Sequence, residues 1–325
     1  GIDCFGVAGD RGDVAMVGYG AARYALASGN CNEAEKLWPL IEWCLEYCHR
    51  QLNADGVVKS DSDELENRFP AGKANLCTSS LYYDALVSAA YLGKALKKEH
   101  KQIKSYQDRA AELYKNIDAY FARNVEGYDT YRYYDGNTVL RSWICIPLTM
   151  GIYDQAKGTV EALFSDKLWM ENGLLTQSGT STYWDRSTLY AFRGAYSCGA
   201  RDIATEYLDK YSATRLLGDH VPYAVEAWPE GNQRHLSTES ALYCRIMTEG
   251  LFGIRPIALD AFMMTPQLPE SWNTMSLKRI CAFGSIFDIE VKRDKDDKLL
   301  VLIKKDHKIV KRSKITNGKP IEVRI

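Results

Sequence analysis

The sequence predicts a mainly α protein, an α/α toroid of helical hairpins followed by a small antiparallel β part. Apolar residues recur at helical spacing in segments that come in pairs, with short connections inside a pair and long connections between pairs. Beyond residue 255 this spacing stops, and apolar residues alternate with polar ones as they do in strands. We therefore expect residues 1–255 to form the toroid, with inner helices around a funnel, and residues 256–325 to form the sheet region.

Each helix is predicted from a stripe of apolar residues. Over 33–52, for example, Leu37, Ile41 and Cys48 fall on one face of a helix. In the third pair, Pro147 should kink or end the first helix. The helices recognised in this way are fewer than a closed six-hairpin ring needs. The pairs are 14–27 with 33–52, 76–96 with 102–123, 138–150 with 153–166 and 187–198 with 200–212, and a last helix covers 236–250.

The C-terminal part is predicted from its prolines and its alternation. The passage FGIRPIALDAFMMTPQLPESW contains too many prolines for one helix. After it, KLLVLIKK and PIEVRI have the composition of strands, and DKDD and TNGK have that of the turns between strands. A small antiparallel meander or sandwich is the expected ending.

Composition disfavours several classes of function. The 41 basic and 42 acidic side chains nearly cancel, whereas a nucleic-acid partner normally requires a basic excess. No apolar stretch approaches the ~18 residues of a membrane span. There is neither a signal peptide nor an initiator Met, so export stays open, and no oligomeric state is indicated. The nine cysteines include no CxxC and no glycine-rich phosphate loop follows a strand, so we expect no disulfide framework, no metal and no cofactor.

The long connections between helix pairs are the expected places for a site, because long loops inside a compact domain are usually functional. The first of them holds Glu64, Glu66 and Arg68 in the passage DELENRFPAG. A solvated acidic loop would explain the acids alone. Their interruption by Arg, Phe and Pro favours a loop that positions side chains. The connections are 53–75, 124–137, 167–186 and 213–235.

A second cluster lies at the start of a helix, in the passage TSTYWDRSTLYAFRG. Its aromatic and charged side chains have the chemistry of a sugar contact. However, Asp185 is equally well explained as an N-cap and Trp184 as a core residue, and both explanations stay open. The four residues of the cluster are Tyr183, Trp184, Asp185 and Arg186.

A third cluster, VPYAVEAWPEGNQRHLSTES, surrounds Glu226. Trp228 and two prolines predict a fixed, partly apolar loop, and burial beside an aromatic ring would raise the pKa of a carboxyl group. Glu239 lies on the following helix, where it is either catalytic or orients other groups. Near the N-terminus, GVAGDRGDVAM adds Asp10 and Arg11 as candidate ligands of sugar hydroxyls.

These clusters contain what hydrolysis of a glycosidic bond needs, one carboxylic acid for the leaving oxygen and a second carboxylate as base or nucleophile. The chain also resembles the six-hairpin toroid glycoside hydrolases, which include the trehalases and the processing α-glucosidases. EAWPEG followed by LSTESALYCRIMTEGLFGI is similar to their late loop and last inner helix. DELENRFPAGKANLCTSSLYYDALVSAAYLG occupies the place of their early acidic loop, and TYWDRSTLYAFRG loosely matches their Arg-Gly-x-x-Trp segment.

The resemblance implies an enzyme that cleaves a glycosidic bond of an oligosaccharide or polysaccharide with inversion. Glu226 would be the general base and Glu66, or second to it Glu64, the general acid, with the carboxyl groups about 6.5–9.5 Å apart. The alternatives are a non-catalytic carbohydrate-binding toroid or truncated enzyme, and a lyase or phosphorylase on the same fold. The residues expected to bind substrate are Asp10, Arg11, Arg68, Tyr183, Trp184, Asp185, Arg186, Trp228 and Glu239.

Overall fold

The computed structural model of the 325-residue chain describes residues 11–61, 69–216, 227–228 and 237–325. Within these residues the helices alternate between an inner and an outer layer. They are α1 (Arg11–Ser28), α2 (Cys31–Arg50), α3 (Leu76–Ala95), α4 (His100–Phe121), α5 (Ile146–Met150), α6 (Ala156–Leu163), α7 (Asp185–Ser197), α8 (Arg201–Tyr211) and α9 (Ser237–Arg245). Short π-helical turns follow α8 and α9, at Ser212–Leu216 and Ile246–Leu251.

The inner layer consists of α1, α3, α5, α7 and α9, each packed against the next in that order. The outer helices α2, α4 and α8 each pack against the inner helix that precedes them in the chain. α3 is buried along most of its length and carries small residues such as Ser80 and Ala89, whereas α4 buries one stripe that includes Ile103 and Leu113. The difference follows from position, because a helix enclosed by neighbours must be apolar or small all round.

The third helix pair departs from its prediction at Pro147. The residues before it form a 3-10 turn, Ser142–Cys145, and Pro147 lies in the first turn of α5. Proline is tolerated there, since the first turn has no intrahelical partner for the missing N–H. The prediction that Pro147 kinks or ends a helix is therefore wrong, because this proline stands where a helix begins. The short α5 ends at Gly151, whose φ is 88°.

Strands of two or four residues connect the helices, and C-terminal strands of four to nine residues follow them. The short pairs are β1 (Ala122–Val125) with β2 (Tyr128–Tyr131), β3 (Trp169–Met170) with β4 (Gly173–Leu174), and β5 (Tyr183–Trp184) with β6 (Ala227–Trp228). The C-terminal strands are β7 (Ile254–Ala258), β8 (Ala261–Met264), β9 (Thr274–Ala282), β10 (Ser285–Arg293), β11 (Lys298–Lys305), β12 (Lys308–Thr316) and β13 (Ile321–Arg324).

The C-terminal strands form two antiparallel sheets, with orders β12-β11-β10-β9 and β13-β8-β7. The last strand, β13, pairs with β8, so the whole four-stranded sheet lies in the chain between two neighbouring strands of the three-stranded sheet. Phe262 of β8 stacks against Phe283 and Phe287, with ring centroids 5.0 and 5.6 Å away. Aromatic packing of this kind joins the two sheets into one layer of core.

The sheets are attached to the helical ring at the turn between α1 and α2. The N–H groups of Phe283 and Gly284 donate to the carbonyl oxygens of Ala27 and Ser28, at 2.6 and 3.2 Å. Gly29 has a φ of 68°, and a Cβ at this position would lie 2.1 Å from the Gly284 nitrogen. Only glycine allows this approach of two backbones.

The C-terminal strands begin at Ile254, and the proline-rich passage interpreted as non-helical forms β7 and β8. The division of the chain at residues 255 and 256 into two domains stays a prediction. None of the described helices is long and apolar enough to cross a membrane.

Candidate active site at the mouth of the helical ring

The long loops that precede the inner helices meet at one end of the ring, which we call the mouth. From α3 onward each inner helix follows a long loop and each outer helix a short one, so these inner helices begin at the same end. Isolated backbone bridges then connect the loops one after another. They join Asn75 to Tyr134 and Arg141 to Gln177, and a third bridge, from Leu175 to Tyr183, lies within the loop before α7.

The loop before α3 is fixed on one side by Arg141. Its guanidinium lies 5.0 Å from the ring centre of Phe69 and 4.7 Å from that of Tyr133, and it donates to the Pro70 carbonyl at 3.0 Å. Arg141 is buried. A planar cation stacked on aromatic faces is held by both cation–π attraction and packing. The chain that directly follows residues 62–68 is thereby anchored to the loop before α5.

The same loop is fixed on its other side by a chain of buried hydroxyl groups. The Asn75 side chain caps α3 by accepting the N–H of Thr78 at 2.9 Å. The Thr78 hydroxyl donates to that of Ser60 at 3.2 Å, and all three residues are buried. Both flanks of residues 62–68 are therefore fixed at the mouth.

Glu126, in the turn between β1 and β2, connects the loop before α5 to the loop before α7. Its carboxylate accepts the N–H of Leu140 at 2.7 Å, the Lys167 ammonium at 3.2 Å and the Ser178 hydroxyl at 3.2 Å. Burial raises the pKa of Glu126, but these donors outweigh burial and leave the pKa below its ordinary value. The group stays ionised and holds the loops together.

Two tryptophans form the floor of the mouth. The rings of Trp143 and Trp184 meet edge to face with centroids 4.4 Å apart, and Tyr190 contacts Trp143 at 5.4 Å. Both tryptophans are 1% exposed. Trp184 therefore packs in the core beneath the mouth, which agrees with its interpretation as a core residue.

Asp185 begins α7 and is likewise buried. Its carboxylate accepts from Arg215 at 3.0 Å, and the same guanidinium donates to the Asn172 carbonyl at 2.9 Å. The N-cap position of α7 belongs to Trp184, which makes no side-chain capping bond. Asp185 thus joins the start of α7 to the π-helical turn after α8. Both side chains are buried beneath the surface of the mouth, and the direct sugar contacts expected of Trp184 and Asp185 stay a prediction.

Arg186 and Glu239 form an ion pair between the first turns of α7 and α9. The Arg186 Nε donates to the Glu239 carboxylate at 2.7 Å. The Arg186 side chain is 19% exposed, whereas that of Glu239 is fully buried. The second carboxylate oxygen of Glu239 has no hydrogen-bond partner among the described residues. Glu239 therefore fixes from below an arginine that reaches the surface of the mouth.

The pairing of β5 with β6 brings together two regions that the sequence singled out. Tyr183 pairs with Trp228, and Trp184 pairs with Ala227. The Tyr183 side chain is half-buried. The two residues that directly follow Glu226 in the sequence are thus paired with Tyr183 and Trp184, the two residues that directly precede α7.

Below the mouth, polar side chains of the inner helices form a cluster that we call the deep network. The Tyr19 hydroxyl accepts hydrogen bonds from Arg193, at 2.8 Å, and from Arg245. Glu249 accepts from Arg23 at 2.6 Å and from Arg245 at 3.1 Å, and Arg193 lies 3.4 Å away. Burial raises the pKa of both Tyr19 and Glu249, but the three arginines outweigh burial and lower both pKa values.

The deep network continues to Asp84, the only acidic residue of α3. Its carboxylate accepts from Arg23 at 2.9 and 3.1 Å, from Ser88 at 3.1 Å and from Arg255 of β7. Asp84 is fully buried, and burial alone would raise its pKa, but the two guanidinium groups hold it below the ordinary value of 3.8. The network thus ties α1, α3, α7, α9 and the first C-terminal strand together.

The remaining predicted site residues lie outside the part of the chain that the structure describes. Asp10, Glu64, Glu66, Arg68 and Glu226 lie outside the described residues, and so do the side chains of Arg11 and Trp228. Of the described residues, those brought together at the mouth are Tyr183, Arg186 and Glu239. Within the described ranges no group of three or more His, Cys, Asp or Glu side chains is arranged to hold a metal ion.

The sequence reasoning missed Arg141, Trp143 and the deep network. One signal was available for Asp84, because a single acid in an otherwise apolar and small-residue helix must be paired once that helix is buried. No such signal exists for Arg141, because its partners Phe69 and Pro70 lie in another loop.

No family model matches the chain, and no curated protein matches it. Among solved structures, a sialidase matches over 94% of this chain at a TM-score of 0.68 and 14% identity. The GH78 family rhamnosidase of Bacillus sp. GL1 matches over 87% at a TM-score of 0.56 and 13% identity. The neutral trehalase of Saccharomyces cerevisiae matches over 54% at 17% identity, but its TM-score of 0.44 is too low to carry an argument.

The matched region is a part of much longer proteins, since this chain spans 32% of the sialidase and 29% of the rhamnosidase. At a sequence identity this low, structural similarity shows a shared fold and nothing more. The predicted fold class is confirmed: the described residues form a mainly α fold of inner and outer helices followed by antiparallel strands, similar to the fold of the sialidase and the rhamnosidase.

Proposed function

We propose that this protein is a glycoside hydrolase that cleaves an oligosaccharide or polysaccharide with inversion of configuration. The observation that carries the proposal is the convergence at the mouth, where β5 pairs with β6 and Arg186 binds Glu239. This convergence supports our proposal that the loop of Glu226 lies at the same hollow as Tyr183 and Arg186. The printed names of the two similar structures, a sialidase and a rhamnosidase, support sugar chemistry on this fold.

In the proposed mechanism the two carboxyl groups act on opposite faces of the sugar. Glu66, or second to it Glu64, is protonated and donates its proton to the leaving oxygen. Glu226 is ionised and takes a proton from the attacking water. The anchoring of both flanks of residues 62–68, through Ser60 and Pro70, supports a fixed position for the acid.

The other side chains bind the substrate rather than react. Arg186, oriented by Glu239, donates hydrogen bonds to sugar hydroxyls or to an acidic substituent. Tyr183 and Trp228 offer aromatic faces to the apolar side of a sugar ring. The same binding role is proposed for three further residues that lie outside the described side chains, namely Asp10, Arg11 and Arg68.

The first test is a hydrolysis screen with a glycan library. We expect the wild-type protein to release sugar from at least one glycan, and Glu226→Gln to lower kcat/KM by at least about a hundredfold, because general base catalysis is lost. Glu230→Gln, four residues away in the same loop, is the matched control and keeps its activity. NMR of the first product should show the anomer opposite to the one cleaved.

The outcomes separate the proposal from its alternative. A Glu226→Gln protein as active as wild type removes the base assignment. Glycan binding without turnover by the wild-type protein would instead favour a non-catalytic carbohydrate-binding toroid.

A further inference from the structure

A cavity lies at the end of the ring opposite the mouth. It has a volume of about 570 Å³ and lies between the C-terminal ends of inner helices and the C-terminal sheets. Ser197 of α7 lines it, about 16 Å from Arg186 by the helical rise along α7. Lys319 is exposed at its edge, so the cavity opens to solvent. Its volume is within the range of small-molecule sites.

The wall of this basal cavity is strongly basic. Among the described residues that line it, five are basic and one, Glu249, is acidic. The basic residues are Arg23, Arg193, Arg201, Arg255 and Lys319. Such an excess of positive charge in a confined space attracts an anion.

Two of the arginines are already neutralised. Arg23 binds both Asp84 and Glu249, and Arg255 binds Asp84. Their guanidinium groups are part of the deep network and form the back wall of the cavity.

Two other arginines keep unused donors. The Nη1 of Arg193, a residue 1% exposed, and the buried Nε of Arg201 have no hydrogen-bond partner among the described residues. The Nε of Arg201 lies 3.6 Å from the Asp202 carboxylate, an ion pair without a hydrogen bond. Buried guanidinium donors left without acceptors are costly, and an oxyanion would satisfy them.

Gln267, another residue that lines the cavity, offers an unused acceptor. Gln267 is 3% exposed, and its side-chain Oε1 has no hydrogen-bond partner within the described part of the chain. An inorganic anion needs only donors, so an acceptor here indicates a ligand that also carries a hydroxyl group. The cavity is also larger than a single phosphate group requires.

We propose that the basal cavity binds a small phosphorylated polyol, of the class of sugar monophosphates. Its phosphate group accepts hydrogen bonds from Arg193 and Arg201, with Lys319 at the entrance, and one of its hydroxyl groups donates to Gln267. The site is separate from the proposed hydrolytic site, and binding there requires no hydrolysis.

The test is calorimetric titration at constant ionic strength with inorganic phosphate, glucose 6-phosphate and glucose. We expect one site for both phosphates, tighter binding of glucose 6-phosphate, and none of glucose. Arg201→Gln should weaken both phosphates about tenfold, since it removes a charge-assisted hydrogen bond. Gln267→Leu should lower the affinity for glucose 6-phosphate toward that for inorganic phosphate and leave the latter unchanged.

The control is Arg312→Gln, on the exposed strand β12, which should bind both phosphates as wild type does. The absence of phosphate binding by the wild-type protein overturns the proposal, and so does equal binding by Arg201→Gln and wild type. Binding of glucose alone as tight as that of glucose 6-phosphate also contradicts it. These are binding measurements, so their failure is distinguishable from a failure of the proposed hydrolase activity.

Discussion

The same pair of residue types occurs at two depths of the ring, on the same helical segments. At the mouth Arg186 binds Glu239, and two turns deeper Arg193 lies against Glu249. The two arginines are seven residues apart on α7 and so share a face of that helix. The mouth pair consists of one cation and one carboxylate. The deeper carboxylate is shared by three arginines, since Arg23 and Arg245 also bind it.

The difference shows how one kind of contact serves two purposes. The deeper carboxylate, Glu249, bridges helices that are distant in sequence, and its lowered pKa measures how strongly the arginines stabilise its charge. The mouth pair bridges only α7 and α9 and keeps part of Arg186 at the surface. We therefore expect the deep network to determine stability and the mouth pair to determine function, and three measurements test this division.

The largest effect is expected for Asp84→Ala, which removes the carboxylate shared by Arg23 and Arg255. Arg255 then loses its carboxylate partner and Arg23 loses one of its two, so the free energy of unfolding should fall by about 3–5 kcal/mol. Urea denaturation measures it. The matched control is Asp108→Ala, whose exposed pair with Lys104 contributes no more than about 0.5 kcal/mol. Equal losses in the two variants would show that the deep network is not stabilising.

A smaller effect on stability and a clear effect on function are expected for Glu239→Gln. The substitution keeps the shape and one acceptor but removes the charge that orients Arg186, so we expect a loss of about 1–2 kcal/mol in stability. Under the proposed function, kcat/KM should fall about tenfold or more, measured on a glycan found in the screen. Glu206→Gln, in an exposed pair on α8, is the control. A large loss of stability with unchanged kinetics would make the mouth pair structural.

The third effect is a difference in acid sensitivity. The pKa values of Glu249 and Asp84 are lower in the folded protein than their ordinary values of 4.5 and 3.8. Their stabilisation is therefore fully present above these values and is lost as the pH falls through the window below them. Glu249→Gln removes one of the two groups, so below about pH 4 its stability should fall less steeply, by roughly 1.4 kcal/mol per pH unit.

Urea denaturation at several pH values between neutral and acid gives the two slopes. Glu322→Gln, an exposed residue of β13, should keep the wild-type slope. Parallel curves for wild type and Glu249→Gln would mean that the arginines do not hold this carboxylate ionised.

Much of the fold could be predicted from local pattern. The stripe that contains Ile41 and Cys48 gives α2, and KLLVLIKK gives β11, because burial of one face leaves its period in the sequence. Pro147 could not be interpreted correctly in isolation, since a proline inside a helix and a proline that begins one look alike until the preceding turn is known. The pairing of β13 with β8 could not be predicted either, because the two strands are far apart in the chain.

From the sequence, the candidate site could be predicted only as separate segments, without the contacts between them. The sequence brought out Tyr183, Arg186 and Glu239 because aromatic and charged residues stand beside long loops. It could not show that Trp184 faces inward, since both faces of a two-residue strand look alike in sequence. The contact of Arg23 with Glu249 joins residues 226 positions apart, and no local pattern records it.

Gly29 affects how the protein unfolds. Because its backbone touches that of Phe283 and Gly284, the sheets close the base of the first hairpin, and Arg255 of β7 enters the deep network from the same side. Separating sheet from ring would uncover two backbone carbonyls and a buried carboxylate together. The helical and β parts should therefore melt as one cooperative unit, and a ligand held between them would stabilise both.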